Sequence, residues 1–183
     1  MTAPENTLDV VVFWVLYTGR TVEKKRILEL KDLLHIDNIA VGVSAADKAD
    51  LINQIVNLVS GHPDVLNPEE VIEAVLERER VMSTGVGKGL ALPHAKTTAV
   101  KGSVAALVTL EKPIDFGALN DEPIQIAFML LGQPDAKSQH VRILSRVSRL
   151  MNNEKTRQLI LDSKSKNELL DVIVGQSSPP LSG

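Results

Sequence analysis

Two nearly unbroken apolar runs, Ser103 to Leu110 and Ile124 to Leu131, lie between stretches whose apolar residues recur at helical spacing. Runs of that kind predict strands buried on both faces, and the turn-rich Glu111 to Pro123 separates them. A shorter strand is expected at Ile39 to Val43. Ser44-Ala45-Ala46-Asp47 reads as a capping-box-like start for a helix whose apolar face is Leu51, Ile55, Leu58 and Val59, closed by Gly61. Asn67 followed by Pro68 opens a second helix, buried through Val71, Ile72, Val75 and Leu76. Glu69 and Glu70 lie in its first turn, and Arg78 and Arg80 near its end. After the loop Gly132 to Asp135, the residues Val141, Leu144, Val147, Leu150 and Met151 mark a third helix, with His140 in or just before its first turn. Further helices are expected from Glu154 to Leu161 and, capped by Ser165 with Glu168 three residues on, as far as Val174. The pattern predicts an α/β fold in one domain, residues 27–174, with its sheet sandwiched by helices.

Composition narrows this reading. The chain has 183 residues, enough for one sizeable core and cramped for two. Only 3% of residues are aromatic, so aliphatic side chains must fill that core. Twenty basic and 23 acidic residues leave a net charge of -3, which provides no basic footprint for nucleic acid. Cysteine is absent, which excludes disulfides, thiolate catalysis and Cys-based zinc sites and fits a reducing cytoplasm. Val10 to Tyr17 is far shorter than the roughly 20 residues of a membrane span, and it lacks the basic flank of a signal peptide. Residues 1–26 are therefore expected to be an N-terminal extension, an extra strand or an arm on a partner surface, with a start-codon artefact and a membrane contact as the competing readings. Residues 175–183 are expected to be a disordered tail rich in Ser and Pro.

Candidate chemistry is concentrated between Arg78 and Thr98. The apolar run Gly89 to Leu92 ends at Pro93 and delivers His94, just after a segment that supplies cations, hydroxyls and glycines suited to phosphoryl oxygens. An imidazole is largely neutral at pH 7, so His94 can attack phosphorus without a separate base. Arg78, Thr84, Lys96 and the amides of Gly85 to Gly89 are candidate phosphate-binding groups. His140, at a helix start, is a candidate to bond a phosphoryl oxygen or to orient His94. Each has a plainer alternative: Arg78 as a cap for its own helix, Thr84 and Lys96 as loop side chains, His140 as an exposed residue. His35 and His62 have no supporting motif and read as surface residues. Gly85 to Gly89 lacks the spacing of a nucleotide-binding loop, and a metal held by His94 and His140 lacks a close-spaced third ligand. No cofactor is called for.

Arg78-Glu79, Ser83-Thr84-Gly85-Val86-Gly87, Leu92-Pro93-His94, Lys112-Pro113-Ile114-Asp115-Phe116 and Gln139-His140 before an aliphatic helix occur in that order. Together they resemble the enzyme IIA domain of the fructose/mannitol type (type 2) of the bacterial phosphoenolpyruvate-dependent phosphotransferase system, with the nitrogen-regulatory IIA-like proteins as the nearer branch. The resemblance runs from about Leu30 to Val174, and the stretch before it departs from the family's pattern. It implies a mixed sheet flanked by helices and a phosphohistidine at His94, charged by the phosphocarrier HPr or a nitrogen-branch relative. It also implies one of two outlets: a regulatory target protein, or a IIB component of sugar transport. The regulatory outlet is the expectation, because no IIB or membrane IIC segment is attached.

Overall fold

The computed structural model describes residues 30–118 and 120–177. Its order is α1 (Leu30–Leu33), a 3-10 turn (Ile36–Asn38), β1 (Ile39–Val43), α2 (Lys48–Val59), α3 (Pro68–Val81), β2 (Gly85–Gly87), β3 (Leu90–Ala91), β4 (His94–Lys96), β5 (Val104–Ile114), β6 (Ile124–Gly132), α4 (Lys137–Asn152), α5 (Glu154–Asp162) and α6 (Lys166–Ser177). Among the described residues no helix is long and apolar enough to cross a membrane. The extension 1–26 and residues 178–183 of the expected tail lie outside the described residues.

The sheet is mixed, in the order β1-β5-β6-β3-β2, and β4 pairs with β6 beyond β3. β5 and β6 are antiparallel, while β1 lies parallel to β5, and β3 and β4 lie parallel to β6. Side-chain alternation sends Ala106, Val108, Ala127, Met129 and Leu131 to one face, under α2 and α3. It sends Ala105, Leu107, Ile126, Phe128 and Leu130 to the other, where α4, α5 and α6 supply Ile143, Val147, Ile160 and Leu169. Both faces are covered, which is why the two apolar runs show no polar alternation.

Several local expectations are corrected. The first long helix is capped by Asp47, not Ser44: Asp47 accepts from the Asp50 amide at 2.9 Å, and Asp50 Oδ2 accepts from the Ala46 amide at 2.8 Å. Asn67 caps α3 as expected, with Pro68 in its first turn. Strand β5 continues through residues 111–114, which the turn-rich composition had placed in a loop; a register shift between Thr109 and Ile114 accommodates them. The last helix runs on to Ser177, so residues 175–177 are helical and not part of a tail.

Helix α4 also sits in a different rotational phase. Its core line is His140, Ile143, Val147 and Met151, while Val141 is 65% exposed. The apolar pattern had placed Val141 inward; the histidine takes that place.

Candidate functional site

Pro93 interrupts the edge of the sheet. Strand β3 ends at Ala91, the Pro93 carbonyl accepts from the Leu130 amide at 3.1 Å, and the chain re-enters the sheet as β4 with His94 beside Leu130. Along β4 the side chains alternate: Ala95 is buried in the core beneath α2 and α3, so His94 and Lys96 share the opposite face, that of α4. That face meets His140, whose ring centroid lies 5.7 Å from that of His94 with the planes tilted by 55°.

His94 Nδ1 lies 2.8 Å from the Leu92 carbonyl oxygen. A carbonyl only accepts, so the proton sits on Nδ1 and donates to it. In the neutral ring this leaves the lone pair on Nε2, the nucleophilic nitrogen. Burial pushes the His94 pKa below its ordinary value. The Leu92 bond and Glu79 oppose this, while Arg78 and Lys96 add to it as nearby cations. The ring is therefore neutral at pH 7.

His140 is buried, and neither of its ring nitrogens has a hydrogen-bond partner among the described residues. Burial, then the neighbouring His94 and Lys96, lower its pKa to about 4. It is a neutral imidazole with one free N–H and one free lone pair. An unpaired buried polar group costs about 1–3 kcal/mol, so a partner that reaches this ring is bound at an advantage. The ring owes its place to Gly132, because a Cβ there would stand 2.8 Å from His140 Nδ1.

The other expected site residues divide. Arg78 and Lys96 lie close enough to act electrostatically on His94. The Arg78 guanidinium also donates through Nη1 to the Met82 carbonyl at 2.9 Å, capping its own helix and leaving its remaining N–H groups without a partner among the described residues. Lys96 is exposed at the end of β4. Thr84 is buried, and its only hydroxyl proton goes to Glu79 Oε2 at 2.5 Å, so it has none to give a phosphoryl oxygen. The residues Gly85 to Gly89 do not all lie at His94. They turn the hairpin between β2 and β3, and Gly89 meets β6 at Gln125 and Ile126, roughly 13 Å of strand from Leu130. His35 is exposed, and His62 is half-buried with Nδ1 accepting from the Asp64 amide.

One residue of the site was quoted from the sequence only within the Arg78-Glu79 motif and given no role. Glu79, buried at the end of α3, accepts from the Thr84 amide and hydroxyl and pairs with Lys48 Nζ at 3.0 Å. Its carboxylate fixes the turn after α3 and adds a negative charge that His94 feels. A signal existed in the spacing: Glu79 falls on the buried line Val71, Val75, Glu79, where a charge needs a partner. Among the described residues no three His, Asp or Glu side chains converge as they would to hold a metal ion.

The family model for the EIIA 2 domain of the phosphoenolpyruvate-dependent sugar phosphotransferase system matches residues 32–175. The chain is 29% identical over 146 residues to the PTS system fructose-specific EIIABC component of Bacillus subtilis, covering 80% of this chain and 23% of that longer one. It is 26% identical over 147 residues to a nitrogen regulatory protein of Pseudomonas aeruginosa, covering 80% of this chain and 96% of the relative. In fold it is similar to nitrogen regulatory protein IIA-Ntr from Neisseria meningitidis, with a TM-score of 0.74 at 24% identity over 79% of this chain and 98% of that one.

Proposed function

Because the chain belongs to the EIIA 2 family of the phosphoenolpyruvate-dependent sugar phosphotransferase system, we propose that Nε2 of His94 accepts a phosphoryl group from phospho-HPr or a nitrogen-branch relative of it. The observation that carries this reading is the Leu92 bond, which parks the ring proton on Nδ1 and keeps Nε2 nucleophilic. In the transfer the donor's N–P bond breaks as a new N–P bond forms at Nε2, through a loose in-line transition state. The protein then contributes position and charge rather than acid or base. His140 donates its N–H to a phosphoryl oxygen, and Arg78 and Lys96 offset the charge that arrives. Thr84 acts at one remove by holding Glu79. Val81, Met82 and Val141 are exposed apolar side chains next to Arg78 and His140, and they suit an apolar contact with the donor.

The outlet we propose is regulatory: a target protein binds the phosphorylated and free forms differently, in the cytoplasm. The likeness to a nitrogen regulatory protein supports this. The likeness to a fructose-specific EIIABC component supports the alternative, in which a IIB component takes the group on. Incubation with phosphoenolpyruvate, enzyme I and HPr adds one acid-labile phosphoryl group, read by intact mass. Label that stays when IIB, IIC and sugar are added supports the regulatory outlet, and sugar-dependent loss of label overturns it.

A further inference from the structure

At the end of α4 away from His140, a cavity of about 310 Å³ opens between α1, α4, α5 and α6. Arg146 and Arg149 line it, and their spacing of three puts them on one side of α4. Neither guanidinium has an ion-pair or hydrogen-bond partner among the described residues. The lining described contains no acidic side chain. Leu30 and Leu150 supply an apolar wall. Thr156, 1% exposed, and Gln176 of α6 also line it, and no described residue takes the Thr156 hydroxyl proton. Asn153, also in the lining, is occupied in capping the Thr156 amide at 3.3 Å, which fixes the start of α5 beside the two arginines.

We propose that this cavity binds a small organic dianion, a dicarboxylate or a phosphomonoester, clamped by Arg146 and Arg149. Two forked guanidinium groups that line one cavity from the same side of α4 suit the paired oxygens of such groups, and both are exposed with no protein charge paired to them among the described residues. The buried Thr156 hydroxyl gives a third donor, and the leucine wall takes a short carbon skeleton. The α4 residues of the cavity lie roughly 9–15 Å along the helix from His140, so it is separate from the His94 site. A ligand there would bear on the same helix that carries His140.

The test is a titration of the 15N-labelled full chain with succinate, a hexose monophosphate and inorganic phosphate, with succinamide as the uncharged control. Saturable shifts of the amides of Asn153, Thr156 and Gln176 with the dianions, and none with succinamide, are the expected result. Arg146→Gln with Arg149→Gln should raise the dissociation constant by about tenfold or more. The same double variant should still be phosphorylated on His94, which keeps this test apart from that of the phosphocarrier reading. Absence of saturable shifts at those amides, or unchanged affinity in the double variant, overturns the proposal. Shifts confined to residues around His94 and His140 overturn it as well.

Discussion

Strand β6 has a polar cluster near each end, and the two are built in opposite ways. At the Gln125 end, the glycine-rich hairpin uses its groups on itself: the Gly89 carbonyl accepts from Gln125 and Ile126, the Lys88 amide donates to Glu122, and Lys88 Nζ reaches Asn152. At the Gly132 end, His94 keeps one nitrogen free and His140 keeps two. Composition marks the hairpin as the better phosphate cradle, since it has the glycines and a lysine. Hydrogen-bond accounting favours the other end, because a ligand site must hold groups whose bonds are not already made.

The contrast can be broken in order of effect. His94→Ala should fold and accept no phosphoryl group at all; full labelling of that variant would sink the assignment. His140→Ala should slow transfer by roughly 10²–10³-fold, the usual loss when one donor to a developing charge is removed. Gly132→Ala should slow it too, since a Cβ displaces the His140 ring. Wild-type single-turnover rates in both variants would empty His140 of its role.

A pH series sharpens the comparison through stability. The folded-state pKa of His140 is lowered to about 4 from 6.5, so between those values the unfolded chain binds a proton that the folded one refuses. Stability is therefore full above about pH 6.5 and falls as the pH drops toward 4, by up to about 3 kcal/mol from this group. His94, whose pKa is lowered too, adds in the same direction. As the pH falls through this window the wild type should lose stability relative to His140→Ala in urea unfolding; parallel curves would refute it.

Glu79→Gln should destabilise by about 1–3 kcal/mol, because it removes the buried partner of Lys48 while leaving the Thr84 amide an acceptor. It should also lower the His94 pKa further, visible in an NMR titration, since the negative charge that raises it is gone. Smallest of all, Lys88→Ala at the hairpin should leave the transfer rate within about twofold of wild type, because exposed polar contacts contribute little. A loss as large as that of His140→Ala would return the hairpin to the site.

Much of the fold was legible because burial leaves a mark on sequence. The twin apolar runs of β5 and β6, the Asn67-Pro68 start of α3 and the Pro93 break before His94 each follow from a local rule. The errors came where a tertiary neighbour changed the outcome. Val141 fits an apolar stripe by spacing, yet α4 is rotated so that His140 faces Gly132 and the sheet. Ser44 fits a cap, yet Asp47 makes the bonds. Residues 111–114 look like turn, yet β6 supplies a ladder for them.

The sequence by itself determined which residues are candidates for the chemistry: a histidine set just after the break at Pro93, a second histidine at a helix start, and cations before and after. Those are choices of residue type and local order, and they hold whatever surrounds them. Only the tertiary structure decided which of those groups are available. The Thr84 hydroxyl is claimed by Glu79, the Gly89 end of the hairpin is held against Gln125 and Ile126, and the His140 nitrogens are left unpaired by burial against Gly132. The physical reason is that a hydrogen-bonding group is functional only when no neighbour has already satisfied it, and neighbours distant in sequence are set by packing.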